Sequence, residues 1–393
     1  MKKILTNINK PLFILTIIFT CFGLIMIQSA SSMESYMRYG ASPYNYFFKQ
    51  LIFVIIGLIG YLIIIFLPTE IYNKISKSLM YISLLVLASL FIWGTPVHNA
   101  KSWFDLKFFK FQPAEVYKIV IIIYMAVYYS QNINKLEEKS ILLKPLLFIA
   151  IGFLLIASQP DLGTASITML LALLIFYSVP MPKRYKSLIN KLLVCSTLLF
   201  ALIFIAFGKD ILHSYQMSRL NFLDPCLRYQ EQTGYQLCNG FIAFNNGGLK
   251  GQGIGESTQK YLYLPESYTD FIFPIIVEEW GLIVGIVIII LYFIMLYLTF
   301  RIAKNANNLK NSLITYGVCM YLLLHITINL GGVLGLMPLT GVPLPFLSYG
   351  GSYTLSLLCA CGLVQRVNIE SKIALKRKKT VYPSQKTKII KSK

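Results

Sequence analysis

Charged residues are scarce in this chain of 393 residues: they make up 13% of it, only 16 are Asp or Glu, and 56% of the residues are apolar. A soluble globular protein has about 25% charged residues. This scarcity excludes an ordinary soluble enzyme, a disordered chain and a small disulfide scaffold. Segments of about ten residues with alternating polarity, which would indicate a membrane β-barrel, are also missing.

Several catalytic signatures are missing too. His98, His213 and His325 are far apart and lack the spacing of zinc ligands. No Gly-Lys-Ser/Thr follows the glycine-rich stretch 247–256, so it is not a P-loop. Its backbone amides could still cradle a phosphate, or the stretch could be a flexible loop. No serine-hydrolase elbow is visible. The sequence therefore gives no support for zinc, nucleotide-hydrolase or serine-hydrolase chemistry.

Long apolar stretches are what the chain has instead. A helix of about 20 apolar residues crosses the hydrocarbon core of a membrane. The pattern predicts an all-α polytopic membrane protein with ten transmembrane helices and a long loop, 209–271, between spans seven and eight. Loops of this length are usually functional. The predicted spans are 11–29, 48–67, 77–94, 113–130, 145–158, 163–179, 192–208, 272–299, 312–332 and 351–367.

The distribution of Lys and Arg sets the orientation. With the N-terminus inside, most basic residues fall on the side that holds both termini, which is the positive-inside pattern. We expect both termini in the cytoplasm, the long loop outside, a membrane domain over 1–369 and a basic, solvated tail over 370–393. The net charge of +20 then reflects topology and contact with anionic membrane lipids, not nucleic-acid binding. Removing span one as a signal peptide would invert this bias, so we expect it to be retained.

The first candidate functional residues flank span four. Glu115 and Lys118 are three residues apart near its start, so a helix places them on one face. Ionisable residues in a membrane span are costly and indicate function, although a structural ion pair with a snorkelling Lys is the alternative. Lys110 and Trp103 precede this span, and Trp103 could equally be an interfacial anchor.

Further carboxylates lie at or near the predicted outer boundary. Asp161 could cap span six or contact a substrate or ion, and Asp270 could cap span eight or act chemically. Glu266 would share a face with Asp270 if the segment were helical. Glu278 and Glu279 are adjacent inside span eight, which packing alone does not explain.

The stretch 341–352 holds two prolines and two glycines at membrane depth, along with Ser348. Irregular backbone is tolerated there only where it lines a cavity or is buried in protein. This favours a substrate cavity that opens outward. Of the seven cysteines, Cys226 and Cys238 both lie in the long loop and are a candidate disulfide.

Together these segments resemble the SEDS family of bacterial cell-wall proteins, whose members include FtsW, RodA and SpoVE. The resemblance runs from Tyr46 to Arg366, with FtsW the nearer subfamily. Two departures stand out: Ser267-Tyr268 replaces a usual Ala-His or Ser-His, and Leu106–Phe109 replaces a usual Leu-Gly-Pro-Phe. The motifs that carry the resemblance are Phe111–Glu115, Gln159–Gly163, Tyr263–Glu266, Thr269–Phe271, Glu278-Glu279, Pro343–Pro345 and Ser348–Ser352.

The resemblance implies a ten-span peptidoglycan glycosyltransferase that polymerises lipid II at the outer face of the bacterial cytoplasmic membrane. It also implies a class B penicillin-binding protein as partner, within the machinery of division or of elongation. By motif, Asp270 matches the family's catalytic aspartate. Trp103, Lys118 and Glu279 match other sensitive positions, and Lys110 stands where the family often has a basic residue.

Asp270 is then the expected general base for the acceptor hydroxyl, with inversion at the donor carbon to give a β-1,4 link. Lys118, Lys110, Arg219 and Lys260 are candidate cations for the undecaprenyl-pyrophosphate leaving group. A divalent cation, Mg²⁺ or Mn²⁺, could share this work if substrate phosphate carries it, because no all-protein metal cage is visible. A lipid II flippase and a pure scaffold for the penicillin-binding protein are the alternatives.

Overall fold

A computed structural model describes residues 2–97, 100–106, 109–187, 190–191, 223–230 and 232–381. The fold is built mainly from helices, with one small antiparallel sheet. The long helices are α1 (Lys10–Tyr39), α2 (Asn45–Phe66), α3 (Tyr72–Trp93), α4 (Pro113–Gln131), α5 (Lys139–Ala157), α6 (Leu162–Ser178), α7 (Gln232–Gly247), α8 (Ile272–Lys304), α9 (Leu309–Val333) and α10 (Gly351–Val381). Single helical turns cover Lys2–Leu5, Thr69–Ile71, Ile133–Lys135 and Pro225–Arg228.

Nine of the ten predicted spans fall on these helices, and span seven, 192–208, lies outside the described residues. Among the described residues, six helical segments are long and apolar enough to cross a membrane: Lys10–Arg38, Asn45–Phe66, Thr69–Trp93, Lys139–Ala157, Ile272–Lys304 and Leu309–Val333. The helical membrane architecture is therefore confirmed, whereas the count of ten spans stays a prediction.

Two helices run well past their predicted ends. Helix α1 begins at the N-cap Asn9, whose side chain accepts from the amide of Leu12 at 3.2 Å, and ends at Gly40 in the left-handed conformation. Helix α10 continues without a break to Val381, so the start expected for the tail, residue 370, falls inside a helix, and residues 382–393 lie outside the described residues. The chain still packs against the protein just past residue 370: Ser371 is buried, and its hydroxyl accepts from the amide of Asn307 at 3.1 Å.

Helix α4 is the centre of the bundle. Nearly all of its residues are buried, as expected of a helix that is apolar on every side. By contrast, α2 buries one face and leaves a row of isoleucines exposed, which suits contact with lipid. These exposed residues are Ile52, Ile55, Ile56, Ile59 and Ile63.

Polar segments gather at the two ends of the bundle. The loop end carries 40–44, 94–112, 158–161, 223–271 and 334–350, and the tail end carries 2–9, 67–71, 132–138 and 305–308. At the loop end, strands β1 (Thr95–Val97), β2 (Ala100–Asp105) and β3 (Lys110–Phe111) form the sheet in that order. In its register Thr95 is opposite Trp103 and Phe104 is opposite Phe111.

Candidate functional site

Helix α8 is interrupted near its start, and the glycine-rich stretch 247–256 forms hydrogen bonds with the interrupted backbone. Gly281 has φ +85°, and a Cβ there would meet backbone atoms of that stretch at 2.3 Å. The amides of Gln252 and Gly253 donate to the carbonyls of Glu278 and Glu279 at 2.9 and 3.0 Å. These amides are thus engaged by the protein itself, because carbonyls freed by the break need donors.

Glu278 organises the long loop from inside the protein. Its fully buried carboxylate accepts from the hydroxyl of Ser257, from Thr258 Oγ1 at 2.9 Å, from Asn246 Nδ2 at 2.9 Å and from the amide of Gln259 at 3.2 Å. These donors stabilise the charge and occupy both oxygens. Glu278 therefore fixes the loop on α8 and is not presented to a substrate.

Glu279 pairs with Lys260 across the same junction. Lys260 Nζ lies 3.1 Å from Glu279 Oε1, and the hydroxyl of Ser29 on α1 donates to that same oxygen. The ammonium also donates to the carbonyl of Gly255. A cavity of about 370 Å³ opens beside Lys260 and Ser29, with Tyr261 on its wall. Lys260 is thus a predicted cation that lines this cavity.

The carboxylates of Asp270 and Glu266 both contact the hydroxyl of Thr269. Thr269 Oγ1 lies 2.7 Å from Glu266 Oε2 and 3.0 Å from Asp270 Oδ1. Both carboxylates are half-buried, on a chain of turns rather than the helix that their spacing suggested. The N-cap position of α8 is Phe271, so Asp270 stands one residue before the cap.

A second helix holds the Asp270 backbone. Asn329 Nδ2 on α9 lies 2.8 Å from the carbonyl of Asp270 and 2.8 Å from that of Val342. On the α1 side, the hydroxyl of Ser267 donates to the carbonyl of Ala30 at 3.2 Å, one residue from the serine that contacts Glu279. The carboxylate pair and the Lys260–Glu279 pair therefore share one end of the bundle.

The proline-rich stretch between α9 and α10 is irregular, as its composition predicted, and largely buried in protein. The substrate cavity expected beside it stays a prediction. Ser348 is 1% exposed, and its hydroxyl accepts from the amide of Leu344 at 2.8 Å. The amide of Tyr349 donates to the carbonyl of Tyr268 at 2.8 Å, which ties the stretch to the carboxylate segment. Ser348 thus shapes the backbone here.

Three tyrosines pack beside the carboxylates. The ring centroid of Tyr46 lies 4.6 Å from that of Tyr268 and 5.2 Å from that of Tyr349. Burial raises the pKa of the Tyr349 hydroxyl to about 12 and raises that of Tyr268 further. These hydroxyls stay protonated at neutral pH, so they can donate hydrogen bonds but do not act as bases. Tyr268, one of the two departures from the SEDS pattern, fills this cluster.

The predicted ion pair of span four is present and buried. Lys118 Nζ lies 2.9 Å from Glu115 Oε1, and Lys118 is 1% exposed. Its ammonium also lies 3.1 Å from His325 Nε2 and 5.5 Å from the ring centroid of Tyr321. Lys118 therefore faces protein groups in this structure. His325 had only a weak signal at the level of sequence, as a lone histidine within an apolar span.

Asp161 is a helix cap. It accepts from the amide of Thr164 at 3.1 Å, and its other oxygen accepts from Gln112 Nε2 at 3.0 Å. The capping interpretation is confirmed, and the bond from Gln112 joins this corner to α4. Both oxygens are engaged by the protein, so any contact with a substrate would compete with these bonds.

The small sheet carries the remaining predicted residues. Trp103 is half-buried on β2, and Lys110 is exposed on β3. The turn between the two strands closes with the amide of Leu106 donating to the carbonyl of Phe109 at 3.0 Å. Arg219 lies outside the described residues. Within the described ranges, no group of three or more His, Cys, Asp or Glu side chains could hold a metal ion.

Apolar helices around a buried, charged centre, with carboxylates gathered at one end, define a polytopic α-helical membrane protein with a polar site near the membrane boundary. The model of the FtsW/RodA/SpoVE cell cycle protein family matches residues 9–373. The chain belongs to this family.

Individual relatives agree along nearly the whole length. The probable peptidoglycan glycosyltransferase FtsW of Bacillus subtilis is 34% identical over 385 residues, 96% of this chain and 95% of that protein. The FtsW of Enterococcus hirae is 34% identical over 393 residues, covering 97% and 95%.

Solved structures resemble the fold. A chain from a peptidoglycan synthase complex that coordinates polymerization and crosslinking superposes with TM-score 0.72 at 25% identity, covering 93% of this chain and 98% of that one. The rod shape determining protein RodA of Thermus thermophilus superposes with TM-score 0.66 at 25% identity, covering 93% and 97%.

Proposed function

We propose that this protein is a peptidoglycan glycosyltransferase that polymerises lipid II into glycan strands. The observation that carries the proposal is Asp270, a half-buried carboxylate on a chain of turns whose backbone is held from α9 by Asn329. The similarity to proteins named peptidoglycan glycosyltransferase FtsW supports the same activity.

In this proposal Asp270 takes the proton of the acceptor 4-hydroxyl as that oxygen attacks C1 of the donor sugar. A hydroxyl is a weak nucleophile, and a positioned base lowers its barrier. The C1–O bond to undecaprenyl pyrophosphate breaks as the new β-1,4 bond forms, and the leaving group departs with its electron pair. Glu266, tied to Asp270 through Thr269, is proposed to contact the sugars.

Cations near the site would stabilise the pyrophosphate. Lys260 borders the cavity and Lys110 is exposed on the sheet, so these two are the proposed direct contacts. Arg219 remains a candidate from the sequence. Lys118 is buried against Glu115, so we propose that its charge stabilises the pyrophosphate without direct contact. A divalent cation, Mg²⁺ or Mn²⁺, would be carried mainly by substrate phosphate.

The remaining predicted residues shape the surroundings of these groups. Trp103 is half-buried on the sheet at the loop end, and we propose that it contacts the substrate from there. Glu279 holds Lys260 in place through their ion pair. Asp161 and Ser348 hold backbone at two corners of the site, through a helix cap and a bond from the amide of Leu344.

We further propose that the loop end faces outward from the cytoplasmic membrane and that both termini are cytoplasmic. The excess of Lys and Arg in the segments of the tail end supports this orientation. A reporter fused after residue 393 should be protected from external reagents, and a label within 230–250 should be accessible. External labelling at the C-terminus would contradict the assignment.

A class B penicillin-binding protein is the proposed partner, because the similar synthase complex couples polymerization to crosslinking. The FtsW relatives favour a role in division over elongation. Capture of the cognate penicillin-binding protein by the full chain from detergent-solubilised membranes tests the partner.

The activity itself is tested with purified protein, labelled lipid II and a class B penicillin-binding protein in detergent. Glycosyl transfer produces a ladder of glycan strands of increasing length, whereas a lipid II flippase forms no new bond. A preparation that binds lipid II but yields no strands would favour the flippase.

A further inference from the structure

Asn329 uses both protons of its amide on backbone carbonyls at the site. It is 4% exposed, and Nδ2 lies 2.8 Å from the carbonyl of Asp270 and 2.8 Å from that of Val342. Both partners are acceptors, so the amide nitrogen and not the oxygen must face them. The side chain is thus a double donor that links the carboxylate segment to the proline-rich stretch.

One turn earlier on α9, His325 holds the next carbonyl. Its Nδ1 lies 3.3 Å from the carbonyl of Pro343, and its Nε2 lies 3.1 Å from Lys118 Nζ. An ammonium group only donates, so Nε2 accepts and the proton of the neutral ring is on Nδ1, where it donates to Pro343. Two side chains of α9, four residues apart, therefore hold two consecutive carbonyls.

These two carbonyls need such donors. The stretch from 341 to 350 is irregular, and Pro343 and Pro345 have no N–H of their own to support a regular ladder. Buried carbonyls without donors are costly, most of all at membrane depth. The donors on α9 meet this need, and one of them, Asn329, reaches the residue proposed as the base.

We infer that Asn329 is a positioning residue for Asp270: it fixes the backbone of Asp270 against α9 so that the carboxylate meets the acceptor hydroxyl. His325 does the same for Pro343 and connects this frame to the buried Lys118–Glu115 pair. The inference rests on the proposed function and deepens it. Asn329 does not touch the reacting atoms, so its effect is on geometry.

The test compares two substitutions at position 329 with a matched control. Asn329→Leu removes both donors. Asn329→Asp keeps the shape but places a carboxylate against two carbonyls, and it can donate one hydrogen bond only when it is protonated. The control is Asn368→Asp on α10 at the tail end, where Nδ2 is buried and donates to the carbonyl of Asn7 at 2.8 Å.

Each variant is assayed as the full chain with purified lipid II and a class B penicillin-binding protein, across a range of pH. Asn329→Leu should lower kcat by about 10²-fold with little change in KM, since a displacement near 1 Å of a reacting group can cost that much. The activity of Asn329→Asp relative to wild type should rise as the pH falls, because protonation restores one donor. Asn368→Asp should keep the wild-type kcat, and its activity relative to wild type should not change with pH.

The ratio to wild type at each pH removes the titration that both proteins share, from Asp270 and Glu266 before α8, His325 on α9, and Glu115 and Lys118 on α4. A new carboxylate at position 329 would disfavour the ionised form of Asp270, which lowers the ratio as the pH falls, so a rise in the ratio does not come from that effect. The inference is overturned if Asn329→Leu keeps the wild-type kcat. It is also overturned if the activity of Asn329→Asp relative to wild type is as independent of pH as that of Asn368→Asp. Should Asn329→Leu fail to fold, the ratio alone decides. Wild-type protein that forms no strands would instead contradict the proposed function.

Discussion

Two polar clusters lie at opposite ends of one bundle and use the same kinds of residues differently. At the tail end, Glu370 accepts four hydrogen bonds, from the amide and hydroxyl of Thr69, from Asn311 and from Arg366, at 2.6 to 3.0 Å. At the loop end, Asp270 is half-buried and its carboxylate lies beside the hydroxyl of Thr269.

The backbone also differs between the two ends. The residues around Glu370 belong to the continuous helices α9 and α10 and the turn at Thr69. The loop end instead has positive φ at Leu262, Glu266 and Phe346, which L-residues rarely adopt. Such strain persists where surrounding structure enforces it and often marks a functional site. A buried charge alone does not indicate chemistry, whereas a partly exposed charge on irregular backbone does.

The largest expected effect separates the two ends by activity. Asp270→Asn should abolish strand formation, a loss of at least roughly 10²–10⁴-fold, because Asn cannot take a proton. Folding should persist, since Asn has nearly the same size and keeps the backbone carbonyl that Asn329 holds. Strand formation from purified lipid II, with thermal melting on each variant, checks both points.

Asp270→Glu is the companion variant. It keeps the carboxylate but moves it by one methylene, so we expect severe impairment with detectable activity. Near-normal strand formation by Asp270→Asn would remove Asp270 as the base and make Glu266 or Glu279 the next candidate. That outcome would also favour a scaffold, for which these carboxylates are dispensable.

Lys118 tests whether a buried pair at the loop end behaves like the tail-end cluster. Lys118→Ala should lower strand formation strongly and cost about 3–5 kcal/mol of stability, because it leaves Glu115 buried and unpaired. Lys118→Arg should restore strand formation only in part, since a guanidinium differs in shape from an ammonium.

A double variant separates charge balance from catalysis. Glu115→Gln combined with Lys118→Met removes both charges together and should recover much of the melting temperature lost in Lys118→Ala. If strand formation recovers equally, the pair is structural. If only stability recovers, Lys118 contributes to the reaction.

The disulfide between Cys226 and Cys238, which the structure confirms, should matter less. It closes a loop across a sequence separation of 12 and should contribute about 3 kcal/mol at most by chain entropy. Cys226→Ser combined with Cys238→Ser should lower the melting temperature modestly and leave the tail end unchanged. Two free thiols found by non-reducing mass spectrometry of the wild type would contradict the bond.

The smallest effect is expected at the tail end. Burial alone would raise the pKa of Glu370, but its donors hold that pKa below the ordinary value. Ionised Glu370 therefore stabilises the fold above about pH 4.3, the ordinary value for Glu, and this contribution is lost as the pH falls through the folded pKa. Glu370→Gln should cost about 2 kcal/mol at neutral pH and leave strand formation intact.

Melting temperatures at several pH values check this expectation. The gap between wild type and Glu370→Gln should be widest at neutral pH and close at acidic pH. A gap that does not depend on pH, or a large loss of strand formation, would show that the two ends are not separable in this way.

Much of the fold could be predicted because long apolar runs specify helices, and the cap at Asp161 followed from its position. Contacts between distant parts of the chain could not. His325 meets Lys118 only because α4 and α9 pack together, and no local spacing encodes that. The break at Gly281 had a signal, an isolated glycine in a helical pattern, but its partner stretch could not be deduced.

That break has a mechanical consequence. Long membrane helices tilt to accommodate bilayers of different thickness. In α8 the glycine-rich stretch bonds both sides of the break: Gln252 and Gly253 donate to the carbonyls of Glu278 and Glu279 before it, and Gly248 and Leu249 accept from the amides of Leu282 and Ile283 after it. The stretch therefore splints the break, so a change in the tilt of the part of α8 after Gly281 would be passed to the long loop and to the segment that holds Glu278 and Glu279.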